Sequence, residues 1–296
     1  MFARSLIAAF VAACGAAGGA RTDWAATPLD PRDRPEDIVA EARAGAASVS
    51  DDPLPDGLVA TGDLDVAAAW YEAPTTRYAH GILGDAVEAG TLAVRTVDGE
   101  AIRFALPDTH VYEDRYPRIA DLDGDGRAEI VTIRASRRGG GGIAVYGLRD
   151  GALEEVASVP DIGTPNRWLN IAAIADLNGD GGLEIAFVKT PHIGGTLRIF
   201  AFYAGELRLV DELWGFSNHA IGAREMRLSA LIDLDGRPTL AVPSADRRAL
   251  RIVRLGNAIR EVASVDLPAR IDKAVAADGD GFVVGLSDGS VMRVGR

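Results

Sequence analysis

The sequence predicts an all-β fold, and three observations support this prediction. Three stretches of the 296-residue chain align with one another, beginning at Arg118, Ala172 and Leu228. Each stretch contains short runs rich in Val, Ile and Leu that are separated by Gly-rich turns, with no helical pattern between them. The chain also holds 34 glycines, which suit a fold with many tight turns. Four short strands per repeated unit are typical of a β-propeller.

The aspartates that lead the three stretches lie 55 and then 57 residues apart. Weaker repeats of the same pattern begin at Gly81 and Lys273. The sequence therefore predicts about five four-stranded blades that start near residues 80, 117, 171, 227 and 272, with six blades as the alternative count. The last unit is short, and the segment Gly57–Tyr78 is expected to supply its missing outer strand. A β-solenoid or a pair of β-sandwiches is the alternative architecture.

Residues 1–20 have the pattern of a secretory signal. Arg4 provides a basic start, and Leu6 to Ala13 form an apolar run that is too short to span a bilayer as a helix. Two processing routes remain open: lipidation at Cys14, which follows a sequence that resembles a bacterial lipoprotein box, or ordinary cleavage after Ala20. Either route predicts an exported protein, periplasmic or anchored in the envelope of a bacterium.

Residues 21–57 are predicted to be a flexible, disordered linker, because Pro, Asp, Ala and Arg dominate and apolar residues show no sustained period. One short helical piece is expected near Glu36–Arg43. The propeller domain is then expected to occupy residues 58–296.

The net charge of −12 argues against nucleic acid as a partner, because phosphates require patches of Lys and Arg. A membrane contact is expected only through a lipid at Cys14. Cys14 is also the one cysteine of the chain, so no intrachain disulfide can form. A bound divalent ion is another way to stabilise an exported fold.

The segment from Asp121 to Glu129 is the strongest indication of a binding site in the sequence. Hard divalent cations bind six to eight oxygen atoms, and acids at alternate positions of a tight loop direct their oxygens inward. The predicted ligands of this loop are the side chains of Asp121, Asp123, Asp125 and Glu129 and the main-chain carbonyl of Arg127. Calcium is preferred to magnesium, because the ligands are many and the loop is irregular.

A second loop repeats the scheme and predicts a second calcium site. Its ligands are the side chains of Asp176, Asn178, Asp180 and Glu184 and the carbonyl of Gly182. An EF-hand would require a carboxylate at position 12 of each loop, where Thr132 and Phe187 stand, so the EF-hand interpretation fails.

Two further loops are expected to bind no metal. The loop from Asp233 to Gly236 lacks the third acid and the closing Glu. It is interpreted as a metal loop that has lost its ligands but still forms the hairpin. Asp278 and Asp280 in the last unit also lack a closing acid.

The intact loops, each between two apolar strands, resemble the FG-GAP and VCBS repeats of integrin-α-like propellers. The resemblance covers residues 118–133 and 173–188, and extends more weakly to about 227–255. It implies a propeller with calcium in these loops on one face.

No catalytic residue is predicted. His80, His110, His192 and His219 lie outside recognised catalytic motifs, although His80 and His219 each precede the first strand of a unit. The run from Arg137 to Gly142 lacks the Lys-Ser/Thr of a phosphate-binding loop and is expected to be a hairpin tip. Trp168 and Trp214 are expected to be buried between blades, with stacking on a sugar as the alternative.

These observations predict an exported calcium-binding module that binds or scaffolds a protein or carbohydrate ligand, with calcium in a structural role. The alternative function is an exported carbohydrate-active lyase or hydrolase, because the fold does not decide between the two.

Overall fold

The computed structural model describes residues 24–38 and 43–296. These residues form 21 strands, one short α-helix and one 3-10 helix. The strands lie in four antiparallel sheets, one of nine strands and three of four. The all-β prediction is therefore confirmed. Among the residues described, no helix is long and apolar enough to cross a membrane.

The N-terminal segment precedes the repeated units. It contains strand β1 (Ala25–Leu29), helix α1 (Pro35–Ile38) and a 3-10 helix (Ala46–Ser48).

The first and second units share the nine-stranded sheet. The first unit comprises β2 (Ala60–Thr61), β3 (Val66–Thr75), β4 (Glu88–Thr96) and β5 (Ala101–Ala105). The second comprises β7 (Arg118–Ala120), β8 (Glu129–Ser136), β9 (Gly140–Arg149) and β10 (Ala152–Ser158). Strand β6 (His110–Tyr112) pairs with both β4 and β8 and so joins the two units.

Each remaining unit forms a sheet of its own, with its strands in chain order. The third contains β11 (Leu169–Ala175), β12 (Glu184–Lys189), β13 (Gly195–Tyr203) and β14 (Glu206–Phe216). The fourth contains β15 (Ala230–Asp233), β16 (Pro238–Pro243), β17 (Ala249–Leu255) and β18 (Ile259–Asp266). The fifth contains β19 (Ile271–Asp278), β20 (Gly281–Leu286) and β21 (Val291–Gly295).

Strand β1 completes the fifth unit. It pairs antiparallel with β21, from Ala25 opposite Gly295 to Leu29 opposite Val291. The prediction that Gly57–Tyr78 would supply this outer strand is wrong, because that segment forms β2 and β3 of the first unit. The first unit consequently starts at residue 60 and not near residue 80.

The flexible-linker prediction for residues 21–57 also differs from the structure. Within this range the described residues contact the β-sheets: the Trp24 ring stacks on Phe282 at a centroid distance of 6.1 Å, and the side chains of Ala46 and Leu54 are buried. These apolar residues are too widely spaced in the sequence to show a periodic pattern. The predicted signal, residues 1–20 with Cys14, lies outside the described residues.

Successive units pack face to face through shared apolar clusters. One such interface joins Ile130 of the second unit to Leu92 of the first, and another joins Phe187 of the third unit to Ile133 of the second. The third and fourth units, and the fourth and fifth, pack in the same way. The free face of the first unit is covered by Ala46 and its neighbours.

The first strands of all five units line one cavity of about 1000 Å³. Because the strands of each unit alternate in direction, the turn from the first to the second strand lies at one end of the sheets, which we call the loop end. The connections between units and the turns from the second to the third strand lie at the opposite end, the connection end.

Candidate metal centre in two carboxylate loops

The first carboxylate loop connects β7 to β8 at the loop end. Ala120 pairs with Glu129 across the two strands, so the loop begins at Asp121 and closes at Glu129. Gly124 and Gly126 have φ angles of 74° and 85°, in the left-handed region that favours glycine. These two glycines allow the chain to turn sharply enough for its acids to face one another.

The carboxylate of Asp121 holds the loop in shape. Its Oδ1 accepts hydrogen bonds from the main-chain N–H of Gly124 at 2.8 Å and of Asp125 at 3.1 Å. Its Oδ2 accepts from the N–H of Gly126 at 3.0 Å. Asp125 in turn accepts from the N–H of Arg127 at 2.8 Å. The turn conformation is thus specified by hydrogen-bond acceptors on Asp121 and Asp125, two of the residues that the sequence analysis predicted as ligands.

Three carboxylates converge within this loop. One oxygen each of Asp121, Asp123 and Glu129 lies within 4.8 Å of the others. Glu129 is fully buried, and its Oε2 accepts from the N–H of Leu122 at 3.0 Å. Among the described residues, its Oε1 has no hydrogen-bond partner, and the nearest cationic group is Nη2 of Arg149 at 3.8 Å. A buried acceptor without a hydrogen bond is costly unless a cation or water satisfies it, so these residues fit a hard cation.

Burial raises the pKa of Glu129 to about 7, and the nearby charges of Asp123 and Asp125 add to the rise. The N–H of Leu122 and the guanidinium of Arg149 act in the opposite direction. A cation beside these carboxylates would favour the ionised form of Glu129. Binding of a cation here would therefore be coupled to release of a proton from Glu129.

The second carboxylate loop connects β11 to β12 and repeats this arrangement. Oδ1 of Asp176 accepts from the N–H of Gly179 at 2.6 Å, and its Oδ2 accepts from Gly181 at 3.0 Å. Glu184 is buried, and its Oε2 accepts from the N–H of Leu177 at 2.7 Å. Burial also raises the pKa of Glu184.

The amide of Asn178 distinguishes the second loop from the first. Its Nδ2 donates to Oδ2 of Asp180 at 2.9 Å and to Oε1 of Glu184 at 2.7 Å. An amide nitrogen cannot bind a cation, so a bound ion would require Asn178 to turn its oxygen inward. The first loop is therefore better arranged than the second to hold a cation.

The structure brings together some of the predicted ligands and not others. Asp121, Asp123 and Glu129 converge, whereas the carboxylate of Asp125 lies outside that group of three. In the second loop, Asp180 and Glu184 share the amide of Asn178. The carbonyl roles predicted for Arg127 and Gly182 stay predictions.

The loop of the fourth unit is held by a guanidinium. Ile232 pairs with Thr239, so Thr239 occupies the strand position that Glu129 has in the first loop. Nε of Arg254 donates to Oγ1 of Thr239 at 2.8 Å, and Nη2 donates to the carbonyl of Leu234 at 2.9 Å. In the fifth unit, Arg293 contacts both Asp278 and Asp280.

Sequence reasoning missed the corresponding loop of the first unit. Asp63-Leu64-Asp65 lies between β2 and β3 and repeats the Asp-Leu-Asp that opens the loops at Asp121 and Asp233. Oδ1 of Asp65 accepts from the N–H of Ala128 at 2.7 Å, which ties this loop to the first carboxylate loop. The Asp-Leu-Asp triplet was the available signal, and it stood in the segment Gly57–Tyr78, which was expected to supply the outer strand of the last unit.

The structure tests two further predictions from the sequence. The run Arg137 to Gly142 contains the turn between β8 and β9, as expected for a hairpin tip. Trp168 is buried as expected, but Trp214 is 71% exposed, because it lies on the outer strand β14. The burial predicted for Trp214 is therefore wrong.

Residues 113–187 match the family model of the FG-GAP-like repeat. The chain carries an FG-GAP-like repeat. The matched range includes both carboxylate loops, so the resemblance inferred from residues 118–133 and 173–188 is confirmed. The FG-GAP match ends before the fourth unit, whose loop holds Arg254. A comparison with curated proteins found no match.

Proposed function

We propose that the five units are the blades of a β-propeller. Three observations support this architecture: each unit is a four-stranded antiparallel meander, neighbouring units pack face to face, and the first strands of all five line one cavity. Pairing of β1 with β21 completes the fifth blade with a strand from the other end of the chain. Such pairing protects a sheet edge that would otherwise be open to association.

We propose further that calcium binds the two carboxylate loops and stabilises this propeller. The observation that carries the proposal is the convergence of Asp121, Asp123 and the buried Glu129, whose Oε1 has no hydrogen-bond partner in the part of the chain that the structure describes. Without a cation, these acids repel one another. Sites of this kind in extracellular proteins bind calcium at about 10⁻⁴–10⁻³ M.

The function that this arrangement supports best is binding or scaffolding of a protein or carbohydrate ligand. The residues that line the central cavity include Arg43, Tyr116, Arg118 and Arg227, and among the described residues its lining includes no Asp, Glu or His. Hydrolysis of a glycosidic bond uses a pair of carboxyl groups. A cavity of this composition favours recognition of a ligand over its hydrolysis.

We propose that the protein is exported by way of residues 1–20 and, when Cys14 is lipidated, held at the envelope. Only ten residues separate Cys14 from Ala25, the start of β1. Fully extended, they reach about 35 Å, so a lipid anchor would keep the propeller close to the membrane. Cell fractionation and mass spectrometry of the mature N-terminus test this. An unprocessed protein in the cytoplasm would contradict export, and a mature N-terminus at Arg21 would contradict lipidation.

The calcium proposal is tested by thermal unfolding of metal-stripped protein that retains residues 21–296. Calcium and magnesium are added back separately up to millimolar concentration. We expect the melting temperature to rise with calcium and the rise to disappear in Asp123→Ala combined with Asn178→Ala. An Asp233→Ala variant is the matched control, because its loop lacks the closing acid. No response of the unsubstituted protein to calcium would mean that the loops are plain turns.

A further inference from the structure

The three arginines that line the central cavity lie at one of its ends. Arg118 is the first residue of β7, and Arg227 stands three residues before β15. Ala44, the neighbour of Arg43, accepts a main-chain hydrogen bond from Val59, just before β2. The first strands run from the connection end to the loop end, so all three arginines lie at the connection end, opposite the carboxylate loops.

The ring of Tyr116 orders two of the guanidinium groups. The Cζ atom of Arg43 lies 4.3 Å from the centroid of this ring, and that of Arg118 lies 4.4 Å from it. Guanidinium groups stack on aromatic rings in this way. A side chain that is already ordered loses less conformational entropy when it binds a ligand.

A buried carboxylate fixes Arg118 further. Nη1 of Arg118 donates to Asp114 and, at 2.8 Å, to the main-chain carbonyl of Tyr116. Asp114 is fully buried and also accepts from the hydroxyl of Tyr71 at 3.1 Å. Among the described residues, Nε and Nη2 of Arg118 have no hydrogen-bond partner. Arg118 is therefore held in place and has donors left for another acceptor.

The acids that pair with Arg118 and Arg227 lie outside the cavity lining. Nη2 of Arg227 contacts Oε2 of Glu225 at 2.7 Å, and neither Glu225 nor Asp114 is a lining residue. In a chain of net charge −12, the described lining thus combines three arginines with no acid. The planar fork of a guanidinium matches the two oxygens of a carboxylate. This end of the cavity suits a carboxylate ligand.

Main-chain groups line the rest of the cavity. Within the described residues, each of the five first strands pairs with a second strand on one side only. The other edge of such a strand presents N–H and C=O groups that take part in no ladder. Small side chains leave this edge accessible, and the lining includes one alanine or more from each first strand: Ala60, Ala120, Ala172, Ala230 and Ala277.

Donors and acceptors on all sides of a cavity suit the hydroxyl groups around a sugar ring, whereas an extended peptide would pair with one strand edge at a time. The cavity volume of about 1000 Å³ lies at the upper end of the range for small-molecule sites. Both features favour a short oligosaccharide over a peptide as the occupant.

We propose that the central cavity binds a short oligosaccharide that carries carboxylate groups. A carboxylate lies at the connection end, where Arg43, Arg118 and Arg227 stand, and the hydroxyl groups lie along the edges of the first strands. This assignment names the ligand class of the binding function proposed above and rests on that function. It is separate from the calcium proposal, since the carboxylate loops are at the other end of the sheets.

Isothermal titration calorimetry of the full chain in the presence of calcium tests the ligand class. The probes are trisaccharides of galacturonate, glucuronate and mannuronate, each compared with its methyl ester, which keeps the hydroxyl groups and loses the charge. We expect at least one acid to bind, and its ester to bind about tenfold more weakly or less, because a hydrogen bond to a charged group is lost.

Equal affinity for an acid and its ester would overturn the carboxylate assignment and leave the binding function standing. Absence of binding by all three acids would overturn the assignment together with the carbohydrate part of that function. Binding of a tri-aspartate peptide in place of the sugars would assign the cavity to a protein ligand.

Two variants locate the acid in the cavity. Arg43→Gln and Arg227→Gln should each weaken binding of the acid about tenfold and leave binding of the ester unchanged. Arg227 is chosen because its side chain is 37% exposed, whereas loss of Arg118 would leave Asp114 buried without its cation. Melting temperatures check that both variants fold.

Arg260→Gln is the matched control, because Arg260 is exposed on β18 and lies outside the cavity lining. It should leave the affinity for the acid unchanged. Folded Arg43→Gln and Arg227→Gln variants that both bind the acid as tightly as the unsubstituted protein would overturn the proposal. Equal weakening in Arg260→Gln would also overturn it, because general attraction to surface charge would then explain the binding.

Discussion

The main-chain N–H of Leu183 donates to the carbonyl of Leu122 at 3.0 Å, which joins the two carboxylate loops directly. Leu122 follows Asp121 in the first loop, and Leu183 precedes Glu184 in the second. On the other side of the first loop, Asp65 accepts from the N–H of Ala128. The loops of three successive units are thus linked along the loop end, and we expect order imposed on one loop to be transmitted to its neighbour.

The first prediction is that calcium binding at the two loops is coupled. Asp176→Ala removes the acceptor that shapes the second loop, and we expect the remaining site to bind calcium about fivefold more weakly, equivalent to about 1 kcal/mol of coupling. Isothermal titration calorimetry of the variant measures this. Asp233→Ala is the control and should leave both affinities unchanged. Equal affinity of the first loop in Asp176→Ala and the unsubstituted protein would show independent sites.

The second prediction concerns pH and Glu129. Its pKa in the metal-free folded protein, about 7, lies above the ordinary value, so folding favours the protonated carboxyl. The stability that this group contributes is present below about pH 4.5 and is lost as pH rises through 7. We expect metal-free protein to lose on the order of 2 kcal/mol over this range, and calcium to stabilise more strongly at pH 7.5 than at pH 5.5.

Glu129→Gln tests this assignment in melting experiments across the same pH range. The variant should lose most of the pH dependence of the metal-free protein and most of the response to calcium. Glu154→Gln, at an exposed position, is the control and should retain both. A pH profile of Glu129→Gln that matches the unsubstituted protein would assign the titration to another group.

The sequence predicted the loops better than the ends of the fold. Acids at alternate positions followed by Gly126 or Gly181 specify a local turn. A single stretch of sequence is therefore enough to predict such a loop. The pairing of Ala25–Leu29 with Val291–Gly295 joins residues at opposite ends of the chain, and nothing in either segment alone indicates the other. The same holds for His192 and His219, which lie on separate turns 27 residues apart and come into contact only in the folded protein.

The third prediction concerns Arg254, whose guanidinium bonds to Thr239 and Leu234 in the fourth unit. Arg254→Met keeps the apolar stem and leaves the hydroxyl and the carbonyl without this partner. We expect the free energy of unfolding to fall by about 1–2 kcal/mol, and calcium not to restore it, because this loop lacks the closing acid. Chemical denaturation with and without calcium measures both effects. The exposed Arg248→Met is the control; an equal change in both variants would mean that the bonds of Arg254 contribute nothing specific.

The fourth prediction tests whether β1 stabilises the fold. β1 is an edge strand, and Pro28, which has no N–H, stands opposite Met292. Because N–H groups alternate in direction along a strand, those of Thr27 and Leu29 face β21, and that of Ala26 faces away. Thr27→Pro should therefore remove a hydrogen bond of the sheet, whereas Ala26→Pro should not. We expect Thr27→Pro to unfold at least about 1 kcal/mol more easily than Ala26→Pro, a difference of about 2–4 °C in melting temperature. Equal melting temperatures of the two variants would mean that β1 is dispensable and that the fifth unit is stable with three strands.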